Sequence, residues 1–322
     1  MASSPAGVAG VFDRAADTYD DIGVPWFQPI AQGLVDELAA QPGERVLDVG
    51  CGRGAALLPL GRAAGPTGHV LGIDLAPRMV ERTARDVRGM PHVEVRVADA
   101  SDSGLLPSSY DVVASSLVLF FLPDPGAAVR AGTELLVEGG RLGVTTFGPQ
   151  DERWKQVDAV FTPYLPATML DARTSGLRGP FSCDEGVAQL LRDGGLAEVR
   201  TTHRRVEAVF RDTEHLLRFS WSHGQRAMWE AVPEQEHEAV RRQVGEVVRE
   251  LCPASGPFSF TQQVRHTLGS SSDAAAISPE AGRPSASRRA GRGTPPAARR
   301  RRVRRSQPRR GPLGGRRTHP RR

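Results

Sequence analysis

Residues 46–54 read Val-Leu-Asp-Val-Gly-Cys-Gly-Arg-Gly, an apolar stretch that runs directly into a glycine-rich turn. Twenty residues beyond Gly54, a second apolar stretch, His69–Ile73, ends on Asp74. A buried strand, a glycine turn, a helix and an acid closing the next strand make a nucleoside-binding unit. Few other folds tolerate that order of residues, so the rest of the chain is set against it.

The flanking pattern extends the unit. Val11–Tyr19 and Trp26–Leu38 have helical spacing, the second carrying Ile30, Leu34, Val35 and Leu38 on one face before Gln41-Pro42-Gly43 stops it. Strand Arg45–Val49, helix Gly54–Ala64, strand His69–Ile73, helix Pro77–Arg88 and strand His92–Val97 follow. Strand Tyr110–Ser116, helix Pro125–Val137 and strand Arg141–Phe147 continue the alternation, which calls for a parallel sheet covered on both faces. Farther on, Ser182 is placed to cap a helix over Asp184–Asp193. Glu198–Phe210 and Phe258–Leu268 have strand character, with helices Thr213–Trp229 and Pro233–Leu251 between them. The expected fold is therefore a doubly wound, Rossmann-like α/β sheet of seven mainly parallel strands, with a helical insertion before the last strand. Its parts are an N-terminal helical cap (1–44), a nucleoside-binding core (45–150), the remainder with the substrate-covering insertion (151–269) and a tail (270–322).

Charge separates the tail from the body. From Asp273 to Arg322 there are 16 Arg against Asp273 and Glu280, a net of +14, so residues 1–272, with 26 basic and 35 acidic residues, carry −9. Cys51, Cys183 and Cys252 are too few and too scattered for a disulfide framework or a metal-ligand spacing, so no metal and a reducing, cytoplasmic setting are expected. Met1–Gly10 lacks the basic and apolar regions of a signal peptide. The longest aliphatic run, Leu117–Leu122, is far short of the about 20 residues a membrane span needs.

Gly50-Cys51-Gly52-Arg53-Gly54-Ala55 also satisfies the loose dinucleotide pattern, which makes an NAD-dependent oxidoreductase the first alternative. Three features oppose it. Asp48 puts a carboxylate where a pyrophosphate binder avoids one and where it can take a hydrogen bond from an ammonium group. Gly54 makes the turn G-x-G-x-G, clearing space for a nucleoside and an amino-acid tail. Asp99, in Ala98-Asp99-Ala100, follows the third strand, where an acid can accept from the exocyclic amine of an adenine.

Val46–Gly54, Gly72–Leu75, Ala98–Ala100, Tyr110–Leu119 and Leu135–Val144 together resemble the ordered motifs of class I S-adenosylmethionine methyltransferases, over residues 11–150. The stretch Phe12–Asp20 is similar to the start of the small-molecule enzymes of ubiquinone and menaquinone biosynthesis. The resemblance implies S-adenosyl-L-methionine as cofactor, with Gly50, Gly52 and Gly54 letting the backbone approach it. The helix N-terminus near Gly54 would face the methionine carboxylate. Asp74 would accept from both ribose hydroxyls, Leu75 and Met79 would flank the adenine, and Asp99 with Ala100 would hold its amino edge. Ser115 and Leu117 would line the methyl-donor side, and Tyr19 would close the pocket. Each has a plainer alternative: Asp74 as a cap for the next helix, Asp99 as a turn residue, Tyr19 as packing, and Cys51 as a small filler rather than a thiolate activated by Arg53.

The sulfonium already activates its methyl group, so the protein's task is to align an acceptor and exclude water. Ser115-Ser116-Leu117-Val118 is not the Asn/Asp-Pro-Pro-Tyr/Phe signature of adenine or glutamine amino methylation, and no Pro-Cys pair marks a cytosine enzyme. A small-molecule acceptor is expected, aromatic or isoprenoid in type. Trp26, Phe27, Phe121, Trp154, Phe161, Tyr164, Phe219, Trp221 and Trp229 are available to line its pocket or to form the insertion's own core. His223 is the candidate general base, ahead of His203 and His215.

Arg299–Arg305 would attract any polyanion, which raises the second alternative, a nucleic-acid methyltransferase or binder recruited through the tail. Residues 273–322 are mostly Ala, Arg, Pro, Gly and Ser, with only Ile277, Val303 and Leu313 aliphatic beyond Ala, too poor in apolar side chains to fold. Their GC-rich codons suit an unselected reading frame better, and their removal is expected to leave activity intact.

Overall fold

The computed structural model describes residues 7–166, 178–252 and 256–271. Seven strands form one sheet in the order β3-β2-β1-β4-β5-β7-β6. They are β1 (Arg45–Val49), β2 (His69–Asp74), β3 (Val93–Val97), β4 (Tyr110–Ser116), β5 (Leu136–Gln150), β6 (Leu196–Phe210) and β7 (Phe258–Ser271). The first five pair in parallel, and β7 runs antiparallel to both β5 and β6. The strand order reverses between β1 and β4, and ligands of open α/β sheets bind at that point, beyond the carboxyl ends of the strands.

Alternating side chains explain why both faces are covered. Val46, Val112 and Ala114 pack with Leu34, Leu38, Leu57 and Leu60 from α2 (Phe27–Leu38) and α3 (Leu57–Ala64). Leu47, Val49 and Val113 point the other way. They meet Ala128 and Val129 of α5 (Pro125–Glu134) and Val187 and Leu191 of α7 (Asp184–Asp193). Helix α4 (Pro77–Asp86) begins with proline, which needs no hydrogen-bond acceptor at that position. Two glycines are dictated by close approach. A Cβ on Gly143 would stand 2.9 Å from Leu34, and one on Gly72 would stand 2.9 Å from the Cys51 sulfur.

Several elements depart from their expected limits. The first helix, α1, is Gly7–Ala15; the chain then turns through Asp20, whose φ is +58°, because Arg53 takes the Ala16 carbonyl and Arg78 and Arg82 take Asp17. Helix α3 starts at Leu57 although Leu58 N–H already bonds the Gly54 carbonyl, since Pro59 has no N–H with which to continue the ladder. The α5 helix stops at Glu134 because β5 begins at Leu136, paired with Tyr110 across a bulge. Ser182 does not cap α7: its hydroxyl turns back to the Gly179 carbonyl, 2.8 Å away, and Cys183 occupies the capping position. A helix that the sequence pattern does not signal, α6 (Glu152–Ala159), follows β5, with Asp151 accepting from Arg153 N–H at 3.0 Å.

Between β6 and β7 the described residues of the insertion form three α-helices, not two: α8 (Thr213–Trp221), α9 (Arg226–Ala231) and α10 (His237–Leu251). The break between α8 and α9 has a local cause. The Phe219 carbonyl accepts from Ser222 N–H at 3.0 Å, Ser222 Oγ at 2.8 Å and His223 Nδ1 at 2.7 Å, so side chains take an acceptor a continuing helix needs. The insertion packs with α6, Trp26 and Ile30 against the projecting ends of β6 and β7, at the carboxyl edge of the sheet. No helix among the described residues is long and apolar enough to cross a membrane. The Arg-rich tail lies outside the described residues.

Candidate active site

The glycine turn is held from three sides. Gly50 and Cys51 N–H groups donate to the Ile73 carbonyl at 2.8 and 2.9 Å, and Thr83 Oγ1 donates to the Gly52 carbonyl at 2.7 Å. Gly50, Gly52 and Gly54 all have positive φ, which favours glycine. A Cβ at Gly50 would stand 2.3 Å from Val118, whereas the space above Gly52 is open, the condition for a ligand to approach the backbone there.

Asp74 ends β2 beneath that space. Its carboxylate accepts from Gly52 N–H at 2.8 Å and Ala76 N–H at 2.9 Å, so it both ties the turn and begins the approach to α4. An ionised carboxylate has about four lone-pair positions, which leaves room for two hydroxyl donors. Burial pushes its pKa upward, opposed by the backbone N–H groups. Asp48, 1% exposed, sits in β1 opposite Gly72 and Ala114. Its Oδ2 has no hydrogen-bond partner, and burial, reinforced by the charge of Asp74, raises its pKa to about 7. A buried acceptor with an unmet oxygen beside an open glycine turn suits a ligand's ammonium group. The glycine cradle, the paired carboxylates and the orphaned oxygen together fit S-adenosylmethionine.

The other expected contacts divide. Leu75 is 49% exposed at the rim of the cleft. Met79 is buried among Ala16, Ala76, Phe12 and Tyr19, so its side chain supports the N-terminal segment rather than an open adenine slot. Asp99 is exposed and accepts from Ser101 N–H at 2.7 Å, the geometry of a turn residue, and Ala100 is half-buried beside it. The Ser115 hydroxyl is buried without a partner and lines a small apolar cavity between the sheet and α5, with Val113, Leu119, Ala128 and Val144. Leu117 carries a φ of +60° at the end of β4, and its N–H bonds the Thr145 carbonyl at 3.1 Å. Strain of this kind collects at functional sites. Cys51 is a filler: it is packed against Gly72, and burial pushes its thiol well above its usual range.

An aromatic chain runs from the end of β4 to the insertion. Phe121, after β4, meets Phe12 at 5.5 Å; Phe12 meets Tyr19 at 6.1 Å; Tyr19 stacks on Phe27 at 4.4 Å; Phe27 meets His223 at 5.6 Å. Trp26, Trp154, Phe161, Phe219 and Trp229 instead form the insertion's buried core, with Tyr164 and Trp221 packed against it. His223 is 8% exposed, and burial among the rings lowers its pKa to about 4. A carbonyl cannot donate, so the bond to Phe219 fixes the proton on Nδ1 and leaves the Nε2 lone pair bare. His203 pairs with Asp184 at 2.9 Å, and His215 bonds the Ile22 carbonyl at 2.8 Å, both structural. Thr83 escaped the sequence reading and Arg53 entered it only as a neighbour of Cys51, for their partners Gly52 and Ala16 lie 30 or more residues away.

Comparison with known proteins bears on this geometry. The family model described as "Methyltransferase domain" matches residues 47–144. Nocamycin O-methyltransferase from Saccharothrix syringae is 38% identical over 275 residues, which cover 80% of this chain and 96% of the relative. The chain belongs to the class I S-adenosylmethionine-dependent methyltransferases. Aklanonic acid methyltransferase from Streptomyces sp. is 37% identical over 166 residues, 51% of this chain and 76% of that relative. Phosphoethanolamine N-methyltransferase 2 of Haemonchus contortus superposes with a TM-score of 0.53 at 13% identity, covering 84% of this chain and 61% of that one, and shares the fold. The methyltransferase uses S-adenosylmethionine to methylate a small molecule; neither the NAD-dependent oxidoreductase nor the nucleic-acid alternative gains support.

Proposed function

We propose that this methyltransferase transfers a methyl group to an oxygen of a small acceptor with a flat apolar body. The observation that carries it is the ring series Phe121–Phe12–Tyr19–Phe27–His223, which runs from the end of β4 to the insertion and ends on a bare imidazole nitrogen. The name of the nocamycin relative, an O-methyltransferase, supports oxygen as the acceptor atom.

When bound, the cofactor's sulfonium supplies an electrophilic methyl group. Asp48 would hold the ammonium, Asp74 the ribose hydroxyls, and the backbone of Gly50–Gly54 the methionine end. Leu75 and Asp99 with Ala100 would border the adenine, with Tyr19 and Leu117 between cofactor and acceptor. The α1–α2 segment and the α8–α10 insertion cover the cleft and exclude water. His223 Nε2 accepts the hydrogen bond of the acceptor hydroxyl and takes its proton as the oxygen–carbon bond forms. An imidazole held at about 4 is a weak base, but it stays neutral above about pH 5, and the hydroxyl becomes strongly acidic as its oxygen is alkylated. His223→Ala should lower kcat by about 10²-fold, the low end of general-base contributions, with S-adenosylhomocysteine binding unchanged. Unaltered turnover at every pH between 6 and 9 would remove His223 from the reaction. The tail expected to start at 270 begins inside β7, which runs to Ser271, and residues 273–322 beyond it are read as dispensable for this activity.

A further inference from the structure

The loop that carries His223 is tied to a part of the molecule that no cofactor contact explains. Asp158, on α6 and 9% exposed, accepts from the Gln225 side-chain amide at 3.0 Å and from that of Gln150, at the end of β5, at 3.1 Å. A buried carboxylate is costly unless several donors meet it, so its presence inside an aromatic core calls for a reason. Gln225 lies two residues past His223, in the same break between α8 and α9. On its other side the break is fixed by the three hydrogen bonds to the Phe219 carbonyl and by Gly224, whose Cβ would stand 3.3 Å from Phe12.

We propose that Asp158 and Gln225 are positioning residues for the transfer: their hydrogen bond fixes the α8–α9 break so that His223 keeps its proton on Nδ1 and presents Nε2 to the acceptor. The inference deepens, and rests on, the assignment of His223 to the acceptor side. Three anchors set the break: the Phe219 carbonyl orients the ring, the Phe27 and Phe219 rings flank it at 5.6 and 4.3 Å, and Asp158 prevents the loop from swinging out. Without Asp158 the Ser222–Gln225 turn keeps its backbone bonds to α8 and α9 and its ring contacts, but loses the side-chain tie to α6. The low basicity of the imidazole agrees with a ring kept away from water by this arrangement.

The test uses the full chain labelled with 15N-histidine, with S-adenosylhomocysteine as the binding probe. In the wild type the His223 signals should report a single neutral tautomer with Nε2 bare. Gln225→Glu sets two carboxylates against each other and should give a mixture of tautomers, with the titration midpoint of His223 moving up towards that of an ordinary histidine. Gln225→Ala, which removes the bond without opposing charges, should shift the signals in the same direction. Asp158→Asn combined with Gln225→Glu restores a carboxylate–amide pair of reversed polarity and should recover the wild-type spectrum. S-adenosylhomocysteine affinity should stay within about twofold in all of these, as for distant sites. His223 signals unmoved in both Gln225 variants, or no recovery in the double variant, would overturn the proposal. If the signals behave as expected but His223→Ala turns over normally, the acceptor role of His223 falls instead.

Discussion

Raising the pH from about 6 to about 8 should tighten S-adenosylhomocysteine binding roughly tenfold, through Asp48. Its carboxyl is 1% exposed, has an unpartnered oxygen, and titrates at about 7 because burial disfavours the charged form. A ligand ammonium prefers the ionised carboxylate, and with that pKa roughly one group in eleven is ionised at pH 6 against ten in eleven at pH 8, a difference of about 1.4 kcal/mol. Calorimetric titration at several pH values, in buffers of different ionisation enthalpy, reads both the affinity and the proton released. Asp48→Asn should bind more weakly and lose most of the slope. An affinity that is flat between pH 6 and 8 in the wild type, or a slope retained in Asp48→Asn, would refute the pairing of Asp48 with the ligand's amine.

Asp74→Ala removes the acceptor for two backbone N–H groups as well as for the ribose, so it should weaken S-adenosylhomocysteine binding by about 1–3 kcal/mol and lower the melting temperature too; loss of neither would take Asp74 out of the site. His266 is buried against Gly33 with Nε2 unpartnered, and its pKa falls to about 4. The unfolded chain takes up this proton near pH 6.5 and the folded one does not, so stability drains away as pH falls from about 6.5 towards 4. Comparing urea midpoints at pH 7 and 5, His266→Gln should lose less stability than the wild type, by about 2 kcal/mol, and equal losses would contradict the buried neutral state. Deleting residues 273–322 should leave cofactor affinity and turnover within about twofold, and a larger loss of either would give the tail a role in catalysis.

The cofactor half of the site was legible because it is local. β1 coincides with the five residues of its motif, and Gly50, Gly52, Gly54 and Asp74 occupy the turn and strand end that their spacing requires. The acceptor half was legible only as a stock of aromatic residues. Which of them join the ring series depends on contacts between α1, the end of β4 and the insertion, and no periodicity encodes that Phe12 reaches Phe121 while Trp154 turns into the core. The broken helix at Ser222–Gln225 hid for the same reason: Gly224 alone is a weak stop, and the decisive acceptor is a carbonyl already inside α8. Ser182 shows the converse failure, a residue of capping type whose hydroxyl found a nearer carbonyl.

The central claim is that the cleft above Gly52, bordered by Asp48 and Asp74, takes S-adenosylmethionine. Calorimetric titration of the full chain with S-adenosylhomocysteine, with NADH as the control, tests it most directly. Binding of S-adenosylhomocysteine at about micromolar Kd, with no heat from NADH, is the predicted result. Binding of NADH in place of S-adenosylhomocysteine would contradict the account.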